Sequence, residues 1–179
     1  MKKILLMIVL FYSANTFAQD DSLFQDTEKK HEIKLNVLGL LTSEWIDLSY
    51  ENLINEESSY GAALQVGFDD ESSVSISYYR TFSLTPYYRR YFSSKYARGF
   101  YLEGFGMLYS NKDIYDDYLD NRNGDVTTLF ALGISIGGKF VSKGGFTADL
   151  HLGLGRNFGN DRYDDDFVGR AAISFGYRF

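Results

Sequence analysis

The feature that most narrows the possible folds is an alternation of polarity with a period of two that runs to the carboxyl end. Leu132, Ile134, Ile136 and Phe140 interleave with Gly133, Ser135, Gly137 and Lys139. Phe146, Ala148, Leu150, Leu152 and Leu154 then interleave with Thr147, Asp149, His151, Gly153 and Gly155. The final segment sets Ala171, Ile173, Phe175, Tyr177 and Phe179 against Arg170, Ala172, Ser174, Gly176 and Arg178. Successive side chains of an extended strand point to opposite faces, so each segment reads as a strand with one apolar face. The 15 Tyr, 15 Phe and 17 Gly against a single Pro agree with this, because aromatic residues favour strands and there is almost no apolar stripe of helical length.

The same pattern recurs upstream. It predicts strands over 32–41, 44–54, 60–68, 80–92 and 99–109, which with 126–140, 146–158 and 168–179 make eight. A soluble barrel and a membrane barrel share this alternation turned inside out, and the second face separates them. A water-facing surface would be rich in Lys and Glu, whereas here it carries Gly, Ala and Ser with isolated charges. Small residues suit the interior of a narrow barrel, where about eight strands leave room only for side chains. The expected fold is therefore all-β: an eight-stranded antiparallel transmembrane β-barrel over residues 32–179, a single domain.

The amino end reads differently. Lys2 and Lys3, the apolar run Ile4 to Phe11 and the small-residue stretch ending at Ala18 have the layout of a secretory signal peptide over residues 1–18. Residues 19–31 are polar, without period, and read as a flexible periplasmic leader. The chain carries 18 Lys and Arg against 24 Asp and Glu; removal of Lys2 and Lys3 moves its net charge from −6 to about −8. An acidic exported chain lacks the basic footprint that nucleic acid needs. With no cysteine, disulfides, thiol catalysis and thiolate metal sites are excluded.

Connection lengths give an orientation. Those after Ile54, Phe92 and Phe140 are short, and those after Phe68, Tyr109 and Phe158 are long and polar, with the short link near Leu41 to Ser43 as the exception. Barrels of this kind place short turns in the periplasm and long loops outside. Phe92, Phe100, Phe140, Phe146 and Phe179 then read as an inner aromatic girdle, and Phe68, Tyr109 and Phe158 as an outer one.

The ending Ile173, Phe175, Tyr177 and Phe179, apolar at alternate positions with a terminal Phe, resembles the carboxy-terminal signature of outer-membrane barrels. In that family the signature is read by the barrel-assembly machinery, so the resemblance implies that partner. Lys34 to Gly39, the run Pro86, Tyr87, Tyr88, Arg89, Arg90, Tyr91, Phe92, and Gly99, Phe100, Tyr101 resemble a family of small outer-membrane barrels of unknown function. That likeness implies an OmpA- or OmpX-type barrel and no activity.

Few residues are candidates for chemistry. Arg89 faces inward if Tyr88 and Phe92 face lipid, and Glu103 does so if Phe100 and Leu102 do, so adjacent strands can pair them as an interior ion pair or, alternatively, a gate. Asp149 and His151 share a face, but the residue two beyond His151 is Gly153 and supplies no nucleophile. Arg89, Glu103, Asp149 and His151 are thus the expected members of a polar network inside the barrel. Asp113, Asp116, Asp117, Asp120 and Asp125, and Asp161, Asp164, Asp165 and Asp166, could draw divalent cations but do not match the twelve-residue calcium loop, and charge runs are usually solvated. Gly153 and Gly155 are strand glycines, since no helix follows to hold a phosphate.

The reading is a monomeric barrel with no cofactor, no metal and no catalytic residue. It sits in the outer membrane against lipid and lipopolysaccharide, with a filled interior and acidic outer loops in a structural or surface-interaction role. The alternatives are a lipid-modifying outer-membrane enzyme and a soluble exported barrel for a small apolar ligand.

Overall fold

A computed structural model of the protein describes residues 28–42, 45–67, 80–93, 95–112, 126–158 and 166–179. The expected signal peptide, most of the leader, Phe68, and every loop aspartate named above except Asp166 lie outside those residues. Eight strands follow in order: β1 (His31–Asn36), β2 (Trp45–Leu53), β3 (Ser58–Gly67), β4 (Arg80–Tyr91), β5 (Gly99–Lys112), β6 (Val126–Val141), β7 (Phe146–Phe158) and β8 (Phe167–Arg178). Each is antiparallel to the next, and β8 returns to β1 to close a barrel. Closure leaves no sheet edge to be satisfied by another chain.

The first strand is shorter than expected. It ends at Asn36, and Val37–Thr42 form a six-residue helix, α1, in place of the extended run to Leu41. The cause is local: Asn36 Oδ1 accepts the amide of Leu38 at 3.1 Å, so the side chain caps the first turn and satisfies an amide that the strand ladder has released. His31, counted with the leader, is instead the first residue of β1, joined to Phe179 by a pair of backbone hydrogen bonds of 3.0 and 2.8 Å.

The alternation sorts side chains as the period demands. Leu132, Ile134, Ile136, Leu150, Leu152 and Leu154 point outward, with Ile134 63% and Leu152 62% exposed, whereas Glu32, Glu51 and Glu103 are fully buried inside. Both turned strands meet at Gly145, whose φ of +94° a side chain would resist; its amide donates to Ser142 O at 3.0 Å and tightens the β6–β7 turn. Interior glycines have another purpose. Tyr87 lies against its cross-strand partner Gly61, Phe105 against Gly133 and Tyr101 against Gly137, so each ring fills the space a Cβ would take; an added Cβ at Gly137 would sit 2.5 Å from the Tyr101 ring.

One aromatic faces the other way. Tyr109, expected on the outer girdle, is 3% exposed and directed inward, its hydroxyl donating to Asn157 Oδ1 at 2.8 Å. The phase of β5 explains it: Leu108 takes the outward position and Tyr109 falls in line with Glu103, Phe105 and Met107. Phe92, Phe100, Phe140, Phe146, Phe158 and Phe179 are exposed as expected.

The interior is layered. Near the rim that carries the termini, Leu53, Tyr91, Tyr96, Ala97 and Tyr101 pack together; toward the opposite rim Tyr87, Phe105, Met107, Leu129 and Ala131 do so. Along β4 and β5, Arg89 and Glu103 fall between these two apolar layers.

Candidate functional site, a buried charge network

Seven of the eight strands send a charged side chain into the middle layer. Arg89 on β4 sits opposite Glu103 on β5, and its Nε donates to Glu103 Oε2 at 2.7 Å. Its Nη1 donates to Glu51 Oε2 on β2 at 2.9 Å and to Asp149 Oδ2 on β7 at 2.5 Å. Lys34 on β1 pairs with Glu51 and reaches Asp149 Oδ2 at 3.1 Å, and Lys139 on β6 bridges Glu51 Oε1 at 2.7 Å and Glu32 Oε2 at 2.9 Å. On β8, Arg170 Nη1 binds Glu103 Oε1 at 2.7 Å, and Arg178 Nε donates to Glu32 Oε1 at 2.7 Å. The remaining strand, β3, supplies Ser59, whose hydroxyl donates to Glu51 Oε1 at 2.6 Å.

The acceptor lone pairs left by the cations are taken by hydroxyls. Tyr91 donates to Glu51 Oε1 and Tyr101 to Asp149 Oδ1, each at 2.6 Å, and Ser135 donates to Glu103 Oε1 at 3.0 Å. The Arg89 guanidinium is also sandwiched between aromatic faces, 4.6 Å from the Tyr87 ring centroid and 4.3 Å from that of Tyr101. Buried charges are tolerable only when each is paired and its remaining hydrogen-bonding capacity is met. Here the carboxylates meet that condition.

The expected residues do not contribute equally. Arg89 and Glu103 pair directly, and Asp149 joins them. His151 shares their face, but its Nδ1 lies 3.8 Å from Asp149 Oδ1 and has no hydrogen-bond partner, so the two make no hydrogen-bonded His–carboxylate dyad. Lys34, Glu32, Glu51, Lys139, Arg170 and Arg178 were not singled out by sequence reasoning as partners. Part of their signal was present: Lys139, Arg170 and Arg178 are in phase with the Gly, Ala and Ser face of their strands, whereas Glu32 and Lys34 share a polar face with Asn36, and Glu51 shares its face with Trp45 and Leu53.

Arg178 extends the network downward. Its Nη2 donates to Ala97 O at 2.9 Å and its Nη1 to Tyr96 O at 3.2 Å, drawing the segment 95–98 against the lower end of the barrel. The signature residues Ile173, Phe175, Tyr177 and Phe179 lie on the outward face of the closing strand, with Tyr177 and Phe179 exposed. Among the described residues no group of three or more His, Asp or Glu is placed to hold a metal ion.

Fold and interior together define a class, a small closed antiparallel barrel of eight strands with an apolar exterior and a charged centre, consistent with the OmpA- and OmpX-type architecture. Set against known protein families, characterised proteins and solved structures, the chain matches none.

Proposed function

We propose that the protein is an outer-membrane β-barrel with an interior blocked by its own ion pairs, serving a structural or surface-interaction role through acidic outer connections. The observation that carries this reading is the inverted polarity: the exterior exposes Leu, Ile and Phe around the circumference while Lys34, Glu51, Arg89, Glu103 and Lys139 are buried. Water would penalise such a surface, and hydrocarbon would penalise any other. The rim with the termini and the short turns is then periplasmic. Lipid and lipopolysaccharide are the expected surroundings of the apolar belt, and the barrel-assembly machinery is the expected reader of the terminal strand. The unit is a monomer in this reading, since each strand already has two neighbours.

The charged centre argues against the soluble-carrier alternative, because an apolar ligand there would displace paired charges. For an enzyme acting on lipid, Asp149 and His151 make no hydrogen-bonded pair with each other and face the wrong way, since both point inward. The test is membrane fractionation followed by a gel with and without boiling. A closed membrane barrel is recovered with outer membranes and shifts its migration on heating; recovery as a soluble periplasmic protein overturns the proposal.

A further inference from the structure

Arg80 is on the wrong side of its strand. Phe82, Leu84 and Tyr88 all point outward, and Arg80 has the same parity, yet its guanidinium lies over the inward-facing ring of Tyr109, 5.0 Å from the centroid. The pairing explains the inversion: Arg80 is opposite Asn111 while Phe82 is opposite Ser110, so β4 carries one residue, Thr81, more than β5 at this point. Thr81 Oγ1 donates to Ser110 O at 3.2 Å and holds this bulge. A bulge of this kind re-aims a side chain, and bulges gather at barrel rims and beside sites.

The side chain it re-aims is left incomplete. Arg89, Arg170 and Arg178 each bind a carboxylate, whereas Arg80 has none within ion-pair distance among the described residues. Its Nη1 reaches Gln65 Oε1 at 3.4 Å, and its Nε is buried with no hydrogen-bond partner. Directly across the strand pair, Asn111 is 7% exposed and its Oδ1 is also buried without a partner. A lone orphaned atom is an imperfection of packing. A cationic donor and a neutral acceptor orphaned on facing residues are both met by a ligand that carries an anionic oxygen beside an N–H or O–H.

We propose that Arg80 and Asn111 form a binding site, at the rim opposite the termini, for a small soluble protonated oxyanion, of which hydrogen phosphate is the simplest. Its charged oxygens match the guanidinium, and its P–OH donates to Asn111 Oδ1. The layer of Met107, Tyr109, Leu129 and Ala131 excludes water beneath the site and strengthens both bonds. The ligand is a solute rather than a lipid headgroup, because Arg80 and Asn111 face the interior while Phe82 and Phe130 face outward.

Chemistry supplies a sharp test, since sulfate has the shape of phosphate but no proton to give Asn111. With the protein folded in octyl glucoside, which contains no phosphate, calorimetric titration with inorganic phosphate should saturate. Sulfate should bind at least about tenfold more weakly, the scale of one buried hydrogen bond lost against an unpaired acceptor. Arg80→Gln should weaken phosphate by about tenfold or more, the loss of a charge-assisted bond. Asn111→Leu should erase the discrimination between the two anions, and it decides the matter if Arg80→Gln fails to fold. Arg90→Gln, which removes the exposed pair with Glu57 at the other rim, should change nothing. No saturable phosphate binding, equal binding in Arg80→Gln, or a wild type blind to the proton overturns the site. Loss of phosphate binding on transfer to phospholipid nanodiscs would overturn its assignment to a soluble ligand.

Discussion

Removing either partner of the Arg89–Glu103 pair should have unequal costs. Glu103 is bound by both Arg89 and Arg170, at 2.7 Å each. Truncation in Glu103→Met leaves Arg89 its bonds to Glu51 and Asp149 but takes from Arg170 the one carboxylate it binds among the described residues. Stripping a buried charge of its partner costs about 3 to 5 kcal/mol. Arg89→Met is milder, because Glu103 keeps Arg170, Glu51 keeps Lys34 and Lys139, and Asp149 keeps Lys34. Its expected cost is about 2 to 3 kcal/mol, the scale of a charged hydrogen bond lost where other partners persist. The double change should fall short of the sum of the single changes by at least about 1 kcal/mol, as contacting residues couple. Urea unfolding in lipid vesicles, followed by the fluorescence of the single tryptophan, Trp45, reads all three variants. Equal single costs with strict additivity would refute the argument, and would mean that water screens the layer between the two apolar clusters.

Leu152→Arg, on the outward face, should destabilise by about 2 to 4 kcal/mol in a bilayer, and His151→Gln on the inward face should cost less; the reverse order in the same assay would mean the faces are exchanged. Gly137→Ala should cost about 1 to 3 kcal/mol, because its Cβ meets both the Tyr101 ring and the backbone carbonyl of Leu150, and Tyr101→Leu should relieve only the part due to the ring, read by the same urea midpoint. Ala97, with φ of 40°, holds a left-handed conformation that glycine adopts without strain, so Ala97→Gly should leave stability unchanged or raise it by up to about 1 kcal/mol, measured by the same urea midpoint.

What could be read in advance follows from range. Alternation is a local property, so the strands of 146–158 and 168–179 and the inward facing of Arg89, Glu103 and Asp149 were legible residue by residue. The end of β1 was not, since Val37, Leu38 and Leu40 suit a strand as well as a helix; the capping power of Asn36 was the overlooked signal. The place of Tyr109 near a strand end suits an outer girdle, but its phase with Glu103, Phe105 and Met107 turns it inward, and phase decides. Arg80 was beyond reach of any single-strand argument, because its bulge exists only relative to β5. Contacts such as Lys34 with Asp149, 115 residues apart, depend on closure and stagger, which no local pattern contains.

The position of Arg178, one residue from the carboxyl end, bears on how the molecule is made. Glu32 is among the first residues of the barrel to be synthesised, and its guanidinium partner lies 146 residues later. Until β8 arrives β1 has one neighbour instead of two, and until Arg178 itself is in place Glu32 has Lys139 and Lys34 alone and the carbonyls of Tyr96 and Ala97 lack their donor. Contacts of such separation are late and slow to form. A chain without Arg178 and Phe179 therefore keeps four of the five β1–β8 pairs, from Ile33 with Tyr177 to Asn36 with Ser174, yet loses the Arg178–Glu32 bond and the two backbone bonds between His31 and Phe179, so the last residues of β8 lock the seam of the barrel rather than create it.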